Sequence, residues 1–271
     1  MTGSPQPSPP PDVPGLLRRL LADDPGRPRL TWYGPGGERV ELSAKVLDNW
    51  VAKTANLLVD ELDAGPGSRI ALVLPAHWRT VTWLLATWST GACAVLPEAT
   101  AGPEAAAEVG RVDVLVAADP ALLLAAGRPG SPAGSPVTVG VALPALAMAF
   151  GPDLPPGALD AATGVRSHGD VFVPFVHPVP GDPALTGPAG TLVHGELLPA
   201  ARQAADEAGW PDGVRLLTDG DLRHTVRDVL GALARSGSVV IHHDIAGLAG
   251  AALAALCRQE GITNSVPAGP R

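Results

Sequence analysis

Lysine is nearly missing from this sequence. Of nineteen basic residues only Lys45 and Lys53 are lysines, and none follows position 53. Chemistry that needs a lysine from the middle or end of the chain, to hold a phosphate or steady a transferred group, has no candidate there; arginine supplies the charge without the compact, mobile ammonium. Cysteine is as scarce. Cys93 and Cys257 are too few for a disulfide framework, and their settings, GACAV and AALCRQ, read as small buried side chains in a reducing cytoplasm. Runs of positive charge are absent too: nothing exceeds Arg18-Arg19, and the net charge is -8, which excludes nucleic acid and anionic membrane surfaces as expected partners. No apolar run reaches membrane-spanning length, since the stretch from Ala142 to Phe150 is short and contains Pro144. The start, MTGSPQPSPPPDVPG, has neither the charged nor the apolar region of a signal peptide. There is no Gly-x-Ser-x-Gly elbow, and no motif sets a His or Asp beside either cysteine, so nucleophilic catalysis has no support.

What is present is apolar and rich in Gly and Pro: 271 residues, 46% hydrophobic, with 32 glycines and 30 prolines. A chain of this size buries a substantial core, as one large α/β domain or two intimate subdomains. Residues 1–14 carry six prolines and no apolar period, and read as an extended or disordered tail. Leu30 to Tyr33 and Arg39 to Leu42 are short strands around the turn cluster Gly34-Pro35-Gly36-Gly37. Ser43 caps a helix whose apolar residues run from Val46 to Leu62 and stop at Gly65-Pro66-Gly67. RIALVL, residues 69–74, is a near-continuous apolar run of strand length, the mark of a strand covered on both faces. A helix over 78–90, strands over 92–96 and 112–117, and a strand from Val137 continue the βα alternation. A second series follows: a helix opening at Thr191 or His194, a strand over 214–218, a helix over 222–236, a strand over 239–242 and a helix over 248–261. The division is a first α/β subdomain over 15–180 and a second α/β part of the same domain over 181–271.

The segment GDPALTGPAGTLVHGEL, Gly181 to Leu197, has the outline of a strand, phosphate-gripping loop and helix, with the loop's chemistry removed. A phosphate cradle needs successive Gly, Ser or Thr residues whose N–H groups converge on one anion, and usually a lysine. Only Gly187 and Gly190 remain, flanking Pro188 and Ala189. Pro188 has no N–H, no serine lies between Leu185 and Thr191, and no basic residue occurs from Gly181 to Ala189 or on to Val193.

Against that background the chain resembles the large N-terminal domain of adenylate-forming enzymes, the acyl-CoA synthetase and AMP-binding superfamily. The resemblance is carried by the stretch from ELSAKVLDNW through RIALVLPAHW to TGACAVLP, by GDPALTGPAGTLVHGELLPAARQAA, by VRLLTDGDLRHTVRDVLGALARSGSVVI, and by LCRQEGITN; residues 119–180 match poorly. PPGALDAATGVRSHGD looks like a short actinobacterial family of uncharacterised proteins related to that domain. The resemblance implies an α/β fold of parallel-sheet αβα layers in truncated form, ending before the segments that hold adenine, ribose and Mg and before the domain with the catalytic lysine. Carried over residue by residue, it leaves Thr186, Gly187 and Gly190 as a remnant phosphate site, ATP or AMP as the ligand such a remnant would take, no resident cofactor, and no catalytic residue. The functional expectation is a non-catalytic remnant acting through binding, with an unidentified protein partner; the alternatives are a nucleotide or acyl-ligand sensor, or a ligase completed by a partner chain.

Three further groups stand out. His242-His243-Asp244 ends a strand, where α/β folds place ligands, but alternation along a strand would send the two imidazoles to opposite faces. His168, Asp170 and His177 read as solvated loop residues. Trp78, Trp83 and Trp88 share one helix at five-residue spacing, about 140° apart, so they cannot form one stripe; one or two exposed as interface anchors is the sharper expectation, core packing the plainer one.

Overall fold

The computed structural model describes residues 10–98, 111–126, 135–218 and 222–265. Helix α1 (Val13–Asp23) starts inside the expected tail. Asp12 caps it, accepting from the Gly15 N–H at 2.7 Å, and a proline in the first turn loses nothing because its N–H would be unbonded there anyway. The tail expectation is therefore corrected from position 10 onward, where Pro10 is already buried; residues 1–9 lie outside the described residues.

Strand β1 (Pro28–Tyr33) turns through a 3-10 segment into β2 (Arg39–Ser43), and Ser43 caps α2 (Ala44–Asp60). Then come β3 (Arg69–Val73), α3 (Trp78–Thr90), β4 (Cys93–Val95), β5 (Val114–Ala117), α4 (Pro120–Ala126), β6 (Val137–Gly140), β7 (Leu159–Asp160) and α5 (Ala161–Ser167). The remainder is β8 (Pro183–Gly187), β9 (Gly190–Val193), α6 (His194–Glu207), β10 (Arg215–Thr218), α7 (Leu222–Ala234), β11 (Ser238–His242), α8 (Gly250–Glu260) and β12 (Asn264–Ser265).

Two sheets form. One runs β7-β6-β5-β3-β4-β8-β9 and the other β12-β10-β11-β1-β2; all neighbours are parallel except the hairpins β8–β9 and β1–β2. Both sheets cross the boundary at residue 181: β8 and β9 extend the sheet begun by β3, while β1 pairs with β11, Leu30 opposite Val239. Side-chain alternation explains the layering. Ile70, Leu72 and Leu74 face a large core shared with α1, α2, α3, α6 and α7, whereas Ala71 and Val73 face a smaller one with Leu122 and Leu123 of α4. The second sheet does the same: Leu216, Val239 and Ile241 turn inward, Leu217 and Val240 outward under α8. The expected αβα layers are thus doubled around a common helical layer.

Within that layer α3 is buried at all thirteen positions. Trp78, Trp83 and Trp88 are 4, 3 and 2% exposed, so the expectation of exposed tryptophan anchors is corrected. A helix enclosed on every side has no solvent face to mark. Three of its polar residues hide by bonding their own helix: Thr82 donates to the Trp78 carbonyl, Ser89 to Leu85 and Thr90 to Thr87. The large apolar side chains that do meet solvent include Val171, Val173, Phe175, Val176 and Val179, with Val173 70% and Phe175 92% exposed. Among the described residues no helix is long and apolar enough to cross a membrane.

Candidate functional site

Thr186, Gly187 and Gly190 come together at the tip of the β8–β9 hairpin, where Gly187 pairs with Gly190 and Pro188-Ala189 is a two-residue turn. Two-residue hairpins favour turns with positive φ at the first central residue, which Pro188 cannot adopt, and Ala189 does not take positive φ either. The correction falls on Gly190, at φ 111°. Close approach fixes the other glycine: a Cβ on Gly187 would meet the Leu96 carbonyl at 3.2 Å. The hydroxyls are occupied locally, Thr186 Oγ1 lying 3.2 Å from Thr191 Oγ1 and 3.5 Å from the buried Cys93 Sγ. A two-residue turn presents no succession of converging N–H groups.

The following helix adds little for an anion. A free helix N-terminus attracts phosphate through unbonded N–H groups. Here the His194 N–H donates to the Asp182 carbonyl and Gly195 N–H to the Pro180 carbonyl, both at 2.9 Å, and Glu196 accepts from the Val193 N–H at 3.2 Å. The Glu196 carboxylate also puts negative charge in the first turn. His194 itself is buried against the Gly91 carbonyl, and burial lowers its pKa.

The other residues singled out by sequence separate. His242 and His243 stack with ring centroids 5.1 Å apart rather than pointing to opposite faces, because β11 ends at His242 and the chain turns there. No group of three or more metal-ligating side chains exists among the described residues. His168 is not a solvated loop residue: Lys53 donates to its carbonyl and its ring lies 3.0 Å from Glu61, tying the segment to α2. Asp170 and His177 are exposed.

Sequence reasoning passed over a more unusual group at the carboxyl end of β3. The strand has β5 on one side and β4 on the other, so the chain leaves it in both directions, the arrangement at which open α/β sheets bind ligands. His77 caps α3, its Nδ1 accepting from the Arg79 N–H at 3.0 Å, which assigns the proton to Nε2. The ring is 2% exposed and contacts Trp32 edge-on at 4.1 Å. Burial, reinforced by the Arg79 charge, lowers its pKa to about 3; the Leu143 carbonyl nearby opposes this, though no acceptor among the described residues lies close enough to Nε2 for a full hydrogen bond. Arg79 is 7% exposed, its pKa lowered to about 10 by burial and by Arg166. The one signal was PAHWRT, where His77, Arg79 and Thr80 come soon after the apolar run Ile70–Leu74.

A pH dependence follows. Between its ordinary 6.5 and about 3, the unfolded chain takes up a proton that the folded His77 refuses, so stability falls as pH drops through that window. The slope contribution is up to ~1.4 kcal/mol per pH unit. His77→Asn keeps a capping acceptor and removes the titration. Denaturation midpoints measured from pH 7 to 4.5 should fall less steeply in the variant; identical slopes would refute the assignment.

Residues 17–151 match the AMP-binding enzyme family. A TIGR03089 family protein of Mycobacterium tuberculosis is 42% identical over 173 residues, covering 61% of this chain and 63% of the relative. Among solved structures, an acyl-CoA synthetase of Brucella canis superposes with a TM-score of 0.72 at 18% identity, covering 94% of this chain and 46% of the synthetase. The N-terminal domain of FACL13 from Mycobacterium tuberculosis gives the same TM-score at 15% identity, covering 94% of this chain and 62% of that one. The chain thus spans under two thirds of the relative's length and about half of the synthetase's.

Proposed function

We propose that this chain, an adenylate-forming-like domain by its AMP-binding match over residues 17–151 and by its fold, acts through binding and does not itself adenylate a carboxylate. Adenylation expels pyrophosphate from ATP, so charge builds on phosphate oxygens and has to be met by converging N–H groups, a cation and usually Mg. The observation that carries the proposal is the hairpin tip: β8 and β9 are joined by a two-residue Pro-Ala turn at the segment the family resemblance assigns to the cradle, and the first two N–H groups of the adjoining helix are already hydrogen-bonded. Thr186, Gly187 and Gly190 remain as the remnant of that site, without residual ATP or AMP affinity on this reading. The exposed Val171, Val173, Phe175, Val176 and Val179 support the binding half, since apolar side chains clustered on a surface mark contacts with other macromolecules. A reducing, cytoplasmic setting completes the proposal, supported by the free thiols of Cys93 and Cys257.

Thermal-shift titration of the full chain with MgATP, AMP and acyl-CoA tests this reading. A ligand at a hundred times its Kd adds about 2.7 kcal/mol of stability, several degrees for a chain of this size. No shift is expected from the nucleotides. A saturable shift with AMP or ATP would replace the proposal by a nucleotide sensor, and one with acyl-CoA alone by an acyl-ligand sensor.

A further inference from the structure

A cavity of about 20 Å³ opens between α2, α3 and α5 at the carboxyl side of the seven-stranded sheet. Trp50, Thr54, Trp78, Arg79, Thr82 and Trp83 supply most of its lining. Two of these side chains carry buried donors with no partner among the described residues: Trp78 Nε1–H and Arg79 Nε–H. The residues are 4 and 7% exposed, so bulk water does not serve them. The threonines donate their hydroxyl protons to helix carbonyls, Thr54 to Trp50 and Thr82 to Trp78, leaving the two N–H groups as the fully buried donors of the lining that are uncommitted.

Charge points the same way. The Arg79 guanidinium stacks 4.6 Å from the Trp78 ring and donates to the carbonyls of Ala145 and Ala147, each at 3.3 Å. It makes no ion pair among the described residues: the Asp160 carboxylate acts on its charge from beyond ion-pair distance and is committed to the N–H groups of Phe150 and Ala162, while Arg166 donates to the same Ala147 carbonyl and adds a second positive charge. A buried cation without an anion in contact is costly, and an anion beside it gains strongly in a low-dielectric setting.

We propose that this cavity binds a small monovalent anion that only accepts hydrogen bonds, of chloride to formate size, held between Trp78 Nε1–H and Arg79 Nε–H. The volume sets the limit. A single water needs roughly 10–15 Å³ on this measure, so the space holds one to two water-sized groups, which suits a halide or, at the upper limit, formate, and is too small for tetrahedral sulfate or a phosphoryl group. The site belongs to the β3 and β6 side of the sheet and is separate from the hairpin on β8 and β9.

The test exchanges the full chain into gluconate at fixed ionic strength and adds chloride, bromide, formate or sulfate, reading tryptophan emission and the thermal midpoint. Saturable one-site responses are expected for chloride, bromide and formate and none for sulfate. Trp78→Phe keeps the ring and removes its N–H, so the apparent Kd read from the thermal midpoint should rise five- to tenfold. Arg79→Gln should abolish the response; if that variant does not fold, Trp78→Phe decides. Equal or unsaturable responses to all four anions, saturation by sulfate, or an unchanged Kd in Trp78→Phe would each overturn the proposal.

Discussion

Trp88→Ala should lower the free energy of unfolding by at least 3–5 kcal/mol. The indole is 2% exposed in the middle of the helical layer, and its Nε1–H donates to the Ala184 carbonyl at 2.8 Å, joining α3 to β8. Truncation removes the ring from the core and leaves a buried carbonyl without its donor, which costs about 1–3 kcal/mol more. Trp88→Phe separates the two terms. It keeps much of the apolar volume and loses the hydrogen bond, so it should recover most of the stability in denaturant titrations at an unchanged m-value. Equal losses in both variants would mean that the bond to Ala184, not packing, dominates.

Gly237→Ala is expected to be nearly as severe, about 3 kcal/mol or more, by the opposite mechanism of overfilling. A Cβ at this position would lie 2.3 Å from the Val214 carbonyl oxygen and 2.7 Å from that of Ala232. Both obstacles are backbone. They are fixed by hydrogen bonds, Ser238 N–H donating to Val214 and Gly237 N–H to Ala232, each at 2.8 Å. The turn between α7 and β11 would have to shift, and β11 lies in the second sheet between β10 and β1. Gly250→Ala is the control, because its Cβ would meet nothing within 4 Å and its φ is not positive; its stability should change by less than about 1 kcal/mol. A neutral Gly237→Ala would show that this turn is looser than its contacts imply.

Much of the architecture was legible from local chemistry. RIALVL declared a strand buried on both faces, and the structure divides its side chains between two cores. The α2 and α3 boundaries followed from Ser43 and from the glycines that end each pattern, with Gly91 in the left-handed conformation at φ 85°. What failed was non-local. Nothing near Leu30 announces a partner more than two hundred residues away at Val239, so the second sheet did not emerge from the βα alternation. Helix α1 hid because Pro11 and Pro14 read as tail, although Pro14 sits in the first helical turn, where proline is tolerated.

The candidate sites were legible in unequal measure. The missing lysine and serines around Thr186 could be read directly, yet the β8–β9 hairpin could not, because Pro-Ala lacks the Asn-Gly signature of a two-residue turn. The stacked pair His242 and His243 was misread for want of knowing where β11 ends. His77 and Arg79 were passed over because their character is tertiary. It arises when residues 143–147 close over them, and no local pattern contains that event.

The proposal stands or falls on whether the hairpin at Gly187 to Gly190 leaves this chain without adenylation. Carboxylate-dependent exchange of labelled pyrophosphate into ATP, measured on the full chain with Mg and a panel of short, long and aromatic carboxylic acids, tests it most directly. The account predicts exchange no greater than in the protein-free control for every acid. Saturable exchange that depends on one of those carboxylates would contradict it.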